Sequence, residues 1–200
     1  MSAICLLCSK PLKHQLTWNR FIFNEQQPVI CPTCHSKFEC VKPEQQKSPH
    51  VHALFHYNEA MKDFLHQYKF LKDIVLKDVF RQEIANALKN VDAIIVPIPM
   101  HPDKMKTRTF AHIDELLKAA GIPYTHLLEK ISSESQSSKS KSGREQSAQL
   151  FRLKLDANIE NRSYILIDDI VTTGTTLEQA KAILIEAGAP SVKALTLIQG

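Results

Sequence analysis

Two hundred residues, 44% of them apolar and with a formal charge of +4, can build one α/β domain of ordinary size plus a small appendage. So mild a charge tolerates an anionic partner without requiring nucleic acid, because basic residues must cluster before they act together. Met1 to Cys8 lacks a basic stretch followed by a long apolar core, and no apolar run approaches the length of a membrane span. The expectation is a cytoplasmic protein with no membrane insertion.

Four of the five cysteines form two pairs, Cys5-x2-Cys8 and Cys31-x2-Cys34. In a reducing compartment such spacing favours a metal over disulfides, since both thiolates of a pair reach one tetrahedral ion and the second pair closes the shell. Residues 1–42 are therefore expected to be a small Zn2+ module whose metal contributes folding energy. His35 and Cys40 are near enough to be considered, but four cysteines already complete the site. Leu16, Trp18, Phe21, Ile22 and Phe23 supply apolar surface between the pairs. Trp18 with Lys13 and Arg20 could stack on a base and meet a phosphate, although such an aromatic more often packs beside the metal.

A polar linker with Pro43 and Pro49 leads to a domain expected over residues 50–200. Val51, Ala53, Phe55 and Tyr57 alternate with His52, Leu54 and His56 as in a half-buried strand, with the histidines toward solvent. Met61, Phe64, Leu65, Tyr68 and Leu71 predict an amphipathic helix, and Leu76, Val79, Phe80, Ile84 and Leu88 a second. Lys69 could bind a phosphate, against the commoner fate of a solvated charge. Asp92 to Ile98 predicts a buried strand that runs into a loop stiffened by Pro99 and Pro102. Lys104, Lys106 and Arg108 follow, ahead of a helix carrying Ile113, Leu116 and Leu117. They form either a second anion site or a basic surface loop. Tyr124 to Ile131 predicts another strand, and Ser132 to Ser147 a mobile serine-rich segment with Lys139, Lys141 and Arg144.

The stretch from Tyr164 to Thr176 organises the rest. It predicts a buried strand ending in Asp168 and Asp169, then Thr172-Thr173-Gly174-Thr175-Thr176, then a helix with Leu177, Ala180, Ile183, Leu184 and Ala187 at helical spacing. Thr175 and Glu178 are spaced as a capping box. The carboxylates can accept ribose hydroxyls or sit near Mg2+, while glycine, hydroxyls and helix N–H groups suit a phosphate. Val192 to Ile198 supplies a final strand. Strands alternating with helices indicate a mostly parallel sheet flanked by helices, with the ligand beyond the strands' carboxyl ends. The absence of a Walker-type lysine loop and of GxGxxG argues against a nucleoside triphosphatase or a dehydrogenase.

The run of apolar residues, two acids, two apolar residues and TTGxT resembles the phosphoribosyl diphosphate (PRPP) loop of type I phosphoribosyltransferases. That resemblance implies ribose contacts for Asp168 and Asp169 and phosphate contacts for Thr172, Thr173, Gly174, Thr175 and Thr176. The whole chain, with its four cysteines and Val96-Pro97-Ile98-Pro99, is similar to the ComF family. Membership implies a role in DNA uptake during natural transformation, PRPP with Mg2+, single-stranded DNA, and a helicase-like ATPase partner. Pro99, Lys104, Lys106 and Arg108 would then form the diphosphate loop, and any transfer chemistry would fall to Asp168, Asp169 and Arg108. The alternative is a nucleotide-salvage phosphoribosyltransferase with a purine or pyrimidine acceptor. Two departures bear on transfer more than on binding. Arg108-Thr109-Phe110-Ala111 stands where the family commonly reads Arg-Gly-Phe-Asn, and Ser147 stands at an Asn position after Gln136 and Arg144.

Overall fold

The computed structural model describes residues 3–12, 27–131 and 149–200. The expectations for Lys13 to Phe23 and for the serine-rich segment fall outside these residues. Four strands, β1 (Val51–His56), β2 (Ile94–Pro97), β5 (Ser163–Val171) and β6 (Ser191–Gln199), form one sheet in the order β1-β6-β5-β2. All three pairings are parallel. β3 (Leu128–Lys130) and β4 (Phe151–Leu153) make a separate antiparallel ribbon. The sheet is thus parallel and flanked by helices, as the alternating pattern predicts.

Alternation along β5 feeds two cores. Ile165 and Ile167 face α2 (Glu59–Lys69), α3 (Arg81–Ala87) and α5 (His112–Ala119), whose buried residues include Phe64, Tyr68, Ile84 and Leu117. Tyr164 and Leu166 face α6 (Thr175–Glu186), where Leu177, Ala180 and Leu184 are buried, together with Phe151 of the ribbon. Parallel strands buried on both faces need this nearly continuous apolar run.

Four expectations are corrected. The second helix divides into a 3₁₀ turn (Ile74–Asp78) and α3, because the Asp73 side chain caps Val75 and tightens the entry. The basic cluster is not in a loop: it lies on α4 (Pro102–Arg108), whose leading proline suits a first helical position rather than excluding a helix. The strand expected over 124–131 shrinks to β3, while the N–H of Thr125 bonds Ile95 at the outer edge of β2 (2.9 Å). The capping box does not form. Gly174, at φ +80°, is itself the cap of α6, so Thr175 is already helical and the cap residue has no side chain to close the box.

The cysteine-bearing segment, with α1 (Pro32–His35), is continuous with the main core. Cys5, Ile30, Cys34 and Phe38 are buried in the same cluster as Phe55, Phe64 and Phe80. Phe38 meets Phe80 edge-on at 4.8 Å between ring centroids. Glu39 and Val41 bond His56 and Leu54 across the outer edge of β1, at 2.8 and 2.9 Å, so that edge is not left open. No helix among the described residues is long and apolar enough to cross a membrane.

Candidate functional site

The Sγ atoms of Cys5, Cys8, Cys31 and Cys34 lie within 4.8 Å of one another. Cys8 and Cys31 are 3.7 Å apart, close to the ~3.8 Å edge of a tetrahedron with Zn–S bonds of about 2.3 Å. The knuckle around Cys5 is built by backbone bonds, Cys5 N–H to Lys10 (2.8 Å) and Ser9 N–H to Cys5 (2.8 Å), and Cys31 N–H reaches the Cys5 sulfur at 3.2 Å. Burial opposes ionisation of Cys5, yet the N–H groups of Cys31, Leu7 and Cys8 together hold its thiol down to about 6. Cys34 is pushed up to about 12 by burial and by the neighbouring thiols. This donor set fits a metal ion. His35 is turned away, its Nε2 at 2.8 Å from Glu83.

The second site lies at the carboxyl ends of β5 and β2. Beyond Val171 the chain turns through Thr172 and Thr173, both exposed, to Gly174. The Thr173 and Thr175 hydroxyls are 3.0 Å apart. Thr175 is exposed and Thr176 half-buried. The Thr173 hydroxyl also accepts the Thr175 N–H at 3.5 Å, so the start of α6 presents a pair of hydroxyls together with its first N–H groups, an arrangement suited to an anion.

The two acids part company. Asp169 is buried, and its Oδ2 pairs with the ammonium of Lys69 and lies 2.8 Å from Nε2 of His112. Asp168 is half-buried, and one of its oxygens accepts the N–H of Asp169 at 2.8 Å. Burial pushes the Asp168 carboxyl up to about 6, with Lys69 and Lys130 opposing the shift. Lys69 is itself held down to about 8 by burial and by Arg108 and Lys104, with Asp168 pulling the other way. Lys69 and Lys130 thus act on Asp168 directly, while Arg108 and Lys104 act on Lys69.

Arg108 sits 5.6 Å over the Phe70 ring, and its guanidinium is 3.4 Å from Nδ1 of His112. Lys104 is exposed and contributes charge; Lys106 is exposed two residues on, round the far side of α4. Pro99 lines a cavity of about 310 Å³ with Ile98, Met100, Met105, Leu128 and Lys130, against His112. A larger hollow of about 520 Å³ lies between Val29 and Glu83, remote from the acids.

Lys69, His112 and Lys130 were not singled out as partners of the acids by sequence. Lys69 follows Tyr68 on the helix's apolar border, and only the fold reveals that it turns inward. Nothing in the sequence marks His112.

Residues 78–200 match the phosphoribosyl transferase domain. Over 219 residues the chain is 34% identical to Competence protein ComFC of Streptococcus pneumoniae, covering 98% of this chain and 99% of the relative. It is 28% identical to Competence protein ComFC of Bacillus subtilis over 233 residues, 98% and 95% of the two chains. The chain belongs to the ComF family. Among solved structures, a hypoxanthine phosphoribosyltransferase from Staphylococcus aureus is similar at 18% identity and a TM-score of 0.37, covering 70% of this chain and 64% of that one. An adenine phosphoribosyltransferase from Thermoanaerobacter pseudethanolicus is similar at 16% and 0.42, covering 65% and 83%.

Proposed function

We propose that this ComF family member is an accessory protein of DNA uptake that binds PRPP with Mg2+ at the carboxyl ends of β5 and β2. One observation carries the pocket: a hydroxyl-bearing helix start at Thr172–Thr176 follows Asp168 at the end of β5, with Lys69 and Lys130 acting on that carboxylate and Lys104 and Arg108 acting on Lys69. The loop takes the 5′-phosphate, Asp168 of the acid pair serves the ribose, and Lys104 and Arg108 on α4 meet the diphosphate. Magnesium would neutralise part of the diphosphate charge. The role in DNA uptake rests on the two competence relatives, and with it come single-stranded DNA, a helicase-like ATPase partner and a cytoplasmic location.

The four cysteines would hold Zn2+, and metal analysis should find about one equivalent per chain. Calorimetry of metal-loaded protein with PRPP and Mg2+ tests the pocket, and absence of binding sinks it. A transformation assay on a deletion strain, complemented with wild type or Asp168→Asn, tests the pathway. Turnover of one purine or pyrimidine base, with transformation intact in the deletion, would establish the salvage alternative instead.

A further inference from the structure

Neighbouring residues on a strand point to opposite faces of the sheet. Asp169 continues the row of Ile165 and Ile167 toward α2 and α5, while Asp168 continues Tyr164 and Leu166 toward the ribbon and α6. The environments differ accordingly. Asp169 is buried against two buried partners, Lys69 from the end of α2 and His112 from the start of α5.

The histidine's chemistry fixes the direction of this chain. A guanidinium only donates, so Nδ1 of His112 accepts from Arg108 and its proton resides on Nε2, where Asp169 accepts it. The backbone carbonyl of His112 receives the buried Tyr68 hydroxyl at 2.7 Å, which pins the histidine to α2 a second time. Lys69, Asp169, His112 and Arg108 therefore form one connected series across α2, β5, α5 and α4. For Asp169 to turn toward a sugar, it would leave a buried ammonium and a buried imidazole N–H without an acceptor.

We propose that the acid pair is divided in labour: Asp169 is a positioning residue that locks Lys69, His112 and Arg108, and Asp168 alone meets the ligand. What Asp168 and Arg108 meet rests on the PRPP reading; the buried series is a property of the ligand-free protein.

The experiment has a ligand-free arm and a ligand arm. In the first, thermal unfolding is measured for Lys69→Met, Asp169→Asn and the double variant, and the side-chain 15N spectrum of His112 is recorded. Each single change should lower the melting temperature, and the double variant should lose less than their sum. His112 should show the Nε2–H tautomer in wild type and a mixed population once Asp169 is replaced. In the second arm, PRPP–Mg2+ titration should show Asp168→Asn weakened about a hundredfold, as for loss of charged hydrogen bonds. Asp169→Asn, or the double variant where the single one folds poorly, should stay within about tenfold of wild type.

Additive melting effects with an unchanged tautomer would overturn the series. Equal loss of PRPP by both acid variants, with stability unaffected by Asp169→Asn, would overturn the division. A wild type that binds no PRPP would refute the pocket reading, while the cycle and the tautomer still decide the series.

Discussion

At the scale of residues, the site holds groups whose protonation runs against their ordinary behaviour. Asp168 has its carboxyl raised from 3.8 to about 6 by burial, so the folded state binds the extra proton between those values. Stability then falls as pH rises through that window, and the full cost persists at neutrality. Asp168→Asn, which keeps an acceptor for the Asp169 N–H, should stabilise the protein by roughly 1–2 kcal/mol at pH 7.5 and by almost nothing at pH 4. Denaturant titrations at the two pH values check this; an equal gain at both would sink it. His112 acts with the opposite sign. Held down from 6.5 to about 2 by burial and by Lys69, Arg108 and Lys104, it is neutral in the fold, whereas the unfolded chain takes up a proton below 6.5. In the Asp168→Asn background, stability should fall with acid between pH 6.5 and 5, and His112→Asn should flatten that slope.

The departures from the family's Arg-Gly-Phe-Asn also gain a physical meaning at this scale. Thr109 has φ +69°, a left-handed conformation that glycine adopts freely and a β-branched residue does not. Ala111 occupies the cap of α5 and offers no side-chain acceptor, where asparagine would. Both replaced residues thus had backbone roles to fill, in addition to any contact with ligand. Thr109→Gly and Ala111→Asn should each raise stability by about 1 kcal/mol, read as a higher melting temperature. No change, or a loss, at Thr109 would show that the turn does not carry this strain.

Among the elements, legibility followed periodicity. The parallel strands, the helix at Met61 to Tyr68 and the helix after Gly174 could be read because buried positions recur at a period of 2 or 3.6. The position of Asp168 and Asp169 at a strand's carboxyl end followed from the same pattern, and so did the gathering of the four cysteines from their spacing. What could not be read depends on contacts between distant segments. α4 was hidden because a proline can stop a strand or start a helix, and only the following packing decides. The strand expected over 124–131 came out too long, because only Leu128 to Lys130 find a partner strand, in β4. The inward turn of Lys69 needed Asp169, a hundred positions later, to stabilise it. The cysteine segment is the element whose loss should spread furthest. Cys5 and Cys34 are buried in one cluster with Phe38 and Phe80. Chelation, or Cys31→Ser, should therefore lower the melting temperature of the entire protein in a single transition, as followed by calorimetry. A separate low-temperature transition, with the main one unmoved, would show the segment to be energetically independent.

For the whole molecule, the aromatic cluster of Phe38, Phe55, Phe64 and Phe80 joins the cysteine segment to the sheet and to α2, with Phe80 within 4.9 Å of each of the other three rings. Phe80→Ala should cost about 3–5 kcal/mol, because the cavity would open where three segments converge. A substitution costing less than about 1 kcal/mol would mean that the surrounding rings collapse to fill it. The site's two halves, the threonine loop and α4, are held in register by this same packing, since α2 and α5 bring Lys69 and His112 to the strand ends.

The order of strands in the sheet has a consequence for how the chain comes to be folded at all. Among the described strands β6 lies between β1 and β5, so β1, whose outer edge bonds Glu39 and Val41, has no partner on its inner edge until the last strand has been made. A growing polypeptide can close the cysteine knuckles and form α2 early, but β1 must wait with one edge bare while more than a hundred residues follow it. Those contacts are among the most distant in the sequence, and such pairings form slowly. A chain truncated ahead of Ser191 would lack the strand that joins β1 to β5 and would leave an edge of each unpaired.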